Sequence, residues 1–128
     1  MSLASPTAET RPIRVLVLEE SSFRREGVHN LLQRYASVDT ACTHDVSEGL
    51  RMAARRPPDV AIVNLDADAL RAIREMRQRH PGVRTIAILP TTDPGVARSL
   101  RGAGADELLY GALRAGTVVE AIFRQMRR

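Results

Sequence analysis

The chain lacks lysine altogether, so each of its 19 basic residues is an arginine, and it has a single cysteine, Cys42. One cysteine excludes an internal disulfide, and without a group of metal ligands near it we expect a reducing, cytoplasmic location. Aromatic residues make up only 3% of the 128 residues, so one compact domain must build its core from Val, Leu, Ile and Ala. No apolar run approaches the roughly 18 residues of a membrane span, and the N-terminus does not resemble a signal peptide.

The net charge of +4 and a pI of about 10.5 raise the possibility of a nucleic-acid partner. The arginines are spread over most segments, often beside Glu or Asp, and this pattern favours solvated helix faces. The chain also shows no helix-turn-helix pattern, aromatic platform or arginine stripe. A basic nucleic-acid-binding protein therefore stays only an alternative interpretation.

An unbroken apolar run at residues 60–63 is the central element of the chain. It is rich in β-branched residues and too short for a helix, which indicates a strand buried on both faces. Asn64 ends this strand, and Asp66 and Asp68 follow it. Sites in open α/β sheets lie beyond the carboxyl ends of the strands. We therefore expect the functional site around Asn64.

Strand and helix patterns alternate five times along the chain. Strands are predicted at residues 13–18, 38–42, 60–63, 85–89 and 107–110, with a helix after each. Such alternation implies a parallel sheet with helices on both faces. We predict an α/β, flavodoxin-like, doubly wound domain of strand order 2-1-3-4-5 over residues 12–128, after a disordered leader at residues 1–11.

No Gly-rich phosphate loop and no Ser/His/Asp or Cys/His set is evident, so we expect no enzyme activity.

Three stretches carry a resemblance to a known family: RVLVLEESSFRREGVHNLL, PPDVAIVNL and RGAGADELLYGALRAGTVVEAI. In order and spacing they resemble the CheY-like receiver domain of bacterial response regulators, in particular the NarL/FixJ-type subgroup, from about Arg14 to Arg127. The resemblance implies a role in two-component signal transduction and transcription regulation. It also implies a homodimer and either a DNA-binding domain beyond Arg128, if the chain is an excised receiver, or a stand-alone receiver.

The same resemblance implies a phosphorylation pocket that has lost its chemistry. In receivers an acidic pair and an aspartate hold Mg²⁺, the aspartate accepts a phosphoryl group, and a hydroxyl and a lysine bind the phosphoryl oxygens. The corresponding positions here are Glu19 and Glu20 for the acidic pair, Asn64 for the acceptor, Leu89 or Pro90 for the hydroxyl and Gly111 for the lysine. An amide is a very poor nucleophile, so we predict an atypical pseudo-receiver with no catalytic residue, no metal site and weak or absent Mg²⁺ binding.

Two alternatives remain near this pocket. Thr91 lies close to the hydroxyl position and is a candidate for a displaced substitute, and Arg114 is the nearest cation after Gly111. A residual receiver phosphorylated at Asp66 or Asp68 is the second alternative, although such residues more often lie in loops and helix caps.

The last helix carries more apolar surface than one buried stripe needs, and such a surplus often marks an interface. We therefore predict that the homodimer forms through Tyr110, Val119, Ile122, Phe123 and Met126.

Overall fold

The computed structural model describes residues 11–90, 92–111 and 115–127. All but the last residue of the predicted leader lies outside this range. The chain runs β1 (Ile13–Glu19), α1 (Ser22–Leu32), β2 (Val38–Thr43), α2 (Val46–Arg55), β3 (Val60–Asn64), α3 (Ala69–Arg79), β4 (Arg84–Leu89), α4 (Pro94–Ala103), β5 (Glu107–Tyr110) and α5 (Ala115–Met126).

The five strands form one parallel sheet in the order β2-β1-β3-β4-β5, which confirms the predicted topology. The middle strands are the apolar runs of the sequence, because a strand covered by helices on both faces has no side that turns to water. The pairing of β1 with β3 places Glu19 opposite Asn64 at the carboxyl edge of the sheet. Glu19 and Asn64 are therefore neighbours as a result of strand register alone.

Two core clusters cover the two faces of the sheet. Alternate residues of β1 divide between them, with Leu16 and Leu18 on the face covered by α2, α3 and α4, and Val15 and Val17 on the face covered by α1 and α5. Gly49 of α2 packs so closely on this sheet that an added Cβ would lie 2.9 Å from Cδ2 of Leu18.

The helix ends follow their capping residues. The Ser21 side chain accepts the Arg24 backbone N–H at 3.2 Å, and the Asp45 side chain accepts the Glu48 N–H at 3.0 Å, as is typical of residues that precede a helix. Gly104 ends α4 with a φ of 118°, a conformation that favours glycine. No helix of the described residues is long and apolar enough to span a membrane.

The predicted interface on α5 requires a correction. Val119 and Ile122 are buried in the core cluster beneath α1 and α5, and Phe123 packs against that cluster, because α5 contacts α1 as well as the sheet. Tyr110 and Met126 are exposed, so only these two offer an open apolar surface. Val119 and Ile122 belong to the core rather than to a free surface.

Candidate functional site

The centre of the candidate site is a hydrogen bond between β1 and β3. The Asn64 Nδ2 amide donates to Oε1 of Glu19 at 2.6 Å, which confirms that Asn64 lies within reach of the acidic pair. The strands also join here through the main chain, because the Glu20 N–H donates to the Asn64 carbonyl at 3.3 Å. The side chain at the end of β3 therefore acts as a hydrogen-bond donor to the neighbouring carboxylate.

Glu19 is a buried carboxylate, 2% exposed, and Arg24 compensates its charge. The Arg24 guanidinium binds in a forked arrangement, with Nε 3.1 Å from Oε1 and Nη2 3.3 Å from Oε2. The Ser21 backbone N–H also donates to Oε2 at 2.9 Å. Each oxygen of Glu19 thus accepts two hydrogen bonds from the protein, and the ion pair raises the pKa of Arg24.

Glu20 lies on the solvent side of the same edge. Its Oε1 accepts the backbone N–H of Asp66 at 2.9 Å, so this exposed carboxylate holds the loop that follows β3. Arg25 donates from Nη1 to the Glu19 carbonyl at 2.9 Å.

Asp66 and Asp68 are both exposed, and Asp68 precedes α3 without a side-chain capping hydrogen bond. They occupy the loop and the helix start expected for such residues.

The remaining predicted positions are divided between the core and the surface. Leu89 is buried in the core cluster on the α2, α3 and α4 face, whereas Pro90 is exposed. Gly111 follows β5 with a φ of 76°, and its N–H donates to the Leu89 carbonyl at 2.8 Å. Of these three, Gly111 shares a cavity with Glu19 and Asn64. The possible substitutes Thr91 and Arg114 lie outside the described residues.

The residues of this site do not fit Mg²⁺. A hard cation prefers several charged oxygen ligands, but both oxygens of Glu19 accept hydrogen bonds from the protein and one oxygen of Glu20 holds the Asp66 N–H, so the open oxygen beside Glu19 is the uncharged Oδ1 of Asn64. Arg24 already supplies positive charge beside Glu19. Within the part of the chain that the structure describes, no three His, Cys, Asp or Glu residues are grouped so that they could hold a metal ion.

Arg24 is the member of the site that the sequence analysis missed. Its position matches no group of the receiver pocket, so the resemblance gave it no role. The capping pattern could have indicated Arg24, because Ser21 is the N-cap of α1 and the first helical turn therefore lies beside the end of β1. An arginine in that turn, close behind two glutamates, is a candidate partner for either of them.

A second contact missed by the sequence analysis involves the single cysteine. Cys42 on β2 has its Sγ 3.8 Å from Nδ1 of His29 on α1, and Gln33 contacts the other ring nitrogen at 3.0 Å. Burial raises the pKa of the Cys42 thiol, although the Arg25 guanidinium opposes this rise. The thiol therefore stays protonated near neutral pH and has the character of a structural rather than a reactive cysteine.

No family model and no curated protein matches this chain. Solved structures do resemble it. A response regulator from Thermotoga maritima is 19% identical with a TM-score of 0.81, over 92% of this chain and 99% of that one. The receiver domain of NtrX from Brucella abortus is 19% identical with a TM-score of 0.79, over 88% and 98%. A LuxR-family DNA-binding response regulator from Staphylococcus aureus is 15% identical with a TM-score of 0.79, over 88% and 98%. At such identities the likeness shows a shared fold.

Proposed function

We propose that this chain, which has the fold of response-regulator receiver domains, is an atypical receiver that works without phosphorylation. The observation that carries the proposal is the Asn64 amide, which donates to Glu19 at 2.6 Å at the position where the resemblance places the phospho-acceptor aspartate. The nitrogen lone pair of an amide is delocalised into its carbonyl group, and the neutral amide oxygen is a far weaker nucleophile than a carboxylate, so Asn64 is a very poor acceptor for a phosphoryl group.

The surroundings of Asn64 support the same conclusion. Phosphoryl transfer needs positive charge beside the transferred group, but Arg24, the arginine that lines the same cavity as Asn64, is already paired with Glu19. Gly111 brings no side chain to the pocket, and Leu89 and Pro90 bring no hydroxyl. Among the residues that the structure describes, the pocket therefore offers no carboxylate at position 64, no open metal site and no group to clamp a phosphoryl oxygen.

A receiver without phosphotransfer needs another way to pass on a signal. We propose dimerisation or the binding of a protein or small ligand, in a bacterial regulator of transcription. The likeness in fold to a DNA-binding response regulator supports this role. Exposed Tyr110 and Met126 offer apolar surface for a second copy. A DNA-binding domain beyond Arg128 would carry the output.

The direct test is incubation with acetyl phosphate and Mg²⁺, followed by intact mass spectrometry. A conventional receiver treated in parallel shows that the donor is active. The unmodified chain should gain no phosphoryl group. A stoichiometric adduct mapped to Asp66 or Asp68 would instead establish the residual-receiver alternative.

Two variants separate the missing parts of the pocket. Asn64→Asp should stay slow to phosphorylate, because groups that act as a unit are not recovered singly. Asn64→Asp combined with Gly111→Lys should react faster than either single variant, although a lysine at the positive φ of Gly111 costs about 1–2 kcal/mol. Rapid phosphorylation of Asn64→Asp alone would show that the pocket lacks only its nucleophile.

A further inference from the structure

A cavity of about 560 Å³ opens between α1 and the carboxyl edge of the sheet. We refer to it as the α1 cavity and define it by its apolar walls, Phe23, Val28, Leu31 and Ile88, and by its polar end at Glu19, Arg24 and Asn64. Its size lies within the range of small-molecule sites, and apolar walls with a few polar groups at one end are typical of such sites.

The polar end of the α1 cavity carries no net charge. Glu19 and Arg24 compensate one another, and the four hydrogen bonds to Glu19 leave its oxygens without further capacity. Two groups remain available. Neither Oδ1 of Asn64 nor Nη1 of Arg24 has a hydrogen-bond partner among the described residues. At this end of the cavity a ligand therefore meets one acceptor and one donor rather than an unpaired charge, while the side chains of Glu26 and Asn30 also line the cavity.

The walls of the α1 cavity expose apolar surface that nothing in the described chain covers. Phe23 is 86% exposed, which is unusual for one of only four aromatic residues. Val28, Leu31 and Ile88 are half-buried and pack against the core from the cavity side. An apolar ligand would remove these surfaces from water. The carboxylate of Glu26 also lines the cavity and disfavours an anion.

We propose that the α1 cavity binds one neutral, largely apolar small molecule with a polar head that both donates and accepts hydrogen bonds, such as a hydroxyl or amide. The head would bind Oδ1 of Asn64 and Nη1 of Arg24, and the apolar body would lie against Phe23 and its neighbours. This inference rests on the proposed function, since it assigns a ligand to a pocket that performs no phosphotransfer.

The test uses two fluorescent probes that share one skeleton and differ in charge. N-phenyl-1-naphthylamine is neutral and apolar, and 8-anilinonaphthalene-1-sulfonate adds a sulfonate. Titration into the full chain should give saturable binding of the neutral probe at one per protomer, at least tenfold tighter than binding of the sulfonate. Equal affinities, or a neutral probe that does not saturate, would overturn the proposal.

A matched pair of glycine variants assigns the binding to the cavity. Gly27 lies inside α1, lines the α1 cavity and has no atom within 4 Å of an added Cβ, so Gly27→Leu introduces a bulky apolar side chain at the wall of the cavity. Gly102 lies inside α4, also with open space, so Gly102→Leu is the control. Circular dichroism checks that both fold.

Gly27→Leu should weaken binding of the neutral probe at least tenfold, whereas Gly102→Leu should leave it unchanged. Unchanged binding to Gly27→Leu, or an equal loss in both variants, would place the probe elsewhere and overturn the assignment. Failure here leaves the proposed function standing if acetyl phosphate still adds no phosphoryl group, so the two proposals fail separately.

Discussion

Replacing Asn64 by aspartate should destabilise the fold, even though aspartate is the residue that the receiver resemblance implies at this position. In the protein the Asn64 amide donates to Glu19 at 2.6 Å. Asn64→Asp removes that donor and places a second carboxylate against a buried one. The variant therefore loses a hydrogen bond and gains a repulsion between like charges.

The size of the effect follows from the separation of the charges. Two carboxylates about 4 Å apart repel by about 4 kcal/mol at an effective dielectric constant of about 20. Arg24 offsets part of this repulsion because it is paired with Glu19, but it is 57% exposed and therefore screened. We expect a loss of about 2–4 kcal/mol in the free energy of unfolding, or roughly 8–16 °C in Tm for a domain of this size.

The assay is thermal and urea unfolding at about pH 8 and about pH 5, with Asn64→Ala as the matched control. Asn64→Ala removes the donor without adding charge and should cost only about 1–2 kcal/mol. The repulsion requires both carboxylates to be ionised, so the deficit of Asn64→Asp relative to Asn64→Ala is present at the higher pH. It should shrink as the pH falls and one of the pair takes up a proton.

A double variant that exchanges the amide of residue 64 and the carboxylate of residue 19 provides a further control. Glu19→Gln combined with Asn64→Asp again pairs one amide with one carboxylate and should recover much of the stability lost by Asn64→Asp alone. Equal stability of Asn64→Asp and Asn64→Ala at every pH would refute the reasoning, because it would mean that Glu19 does not hold a charge beside residue 64.

Three other predictions concern the rest of the chain. Gly49→Ala should lower the free energy of unfolding by about 1–3 kcal/mol, because the added methyl group overpacks against β1. Gly27→Ala, which adds a methyl group in open space inside α1, should raise the free energy of unfolding by about 0.5–1 kcal/mol. Urea unfolding measures both changes. Since burial raises the pKa of the Cys42 thiol, iodoacetamide should alkylate it much more slowly at about pH 8 than it alkylates the urea-unfolded chain, and equal rates would contradict this. The proposed homodimer should weaken at least about tenfold when Tyr110 and Met126 are both changed to alanine; a monomer mass in sedimentation that persists to about millimolar would count against the dimer.

The sheet could be predicted because its signal is local. The run at residues 60–63 is apolar throughout, as a strand covered on both faces must be, and β5 begins and ends at the predicted residues. The order of the strands followed from their alternation with helices and from the resemblance. The position of Asn64 opposite Glu19 then followed from the rule that sites lie at the carboxyl edge.

The exposed surface of α5 was harder to predict because it depends on how much of the helix the rest of the chain covers. The sequence shows that Val119 and Ile122 are apolar, but it does not show how wide the buried face is. In the structure α5 packs on the sheet and against α1, so a wide apolar face is buried within one protomer. Helical spacing alone therefore overestimated the surface available to a partner.

The role of Arg24 escaped prediction for a more general reason. A buried carboxylate at the end of β1 needs a counter-charge wherever the sheet register places it, because an uncompensated buried charge is strongly destabilising. In a conventional receiver the resemblance assigns that task to a metal. Here an arginine on the first turn of α1 meets the same electrostatic need from within the chain. The receiver resemblance implies a carboxylate at position 64, and the change to an amide there fits the presence of Arg24: the site offers a metal one ligand fewer, and Arg24 supplies the counter-charge that Glu19 needs. A position-by-position comparison with the family pattern finds the amide at position 64. It does not find Arg24, because that residue lies at a position to which the family pattern assigns no chemistry.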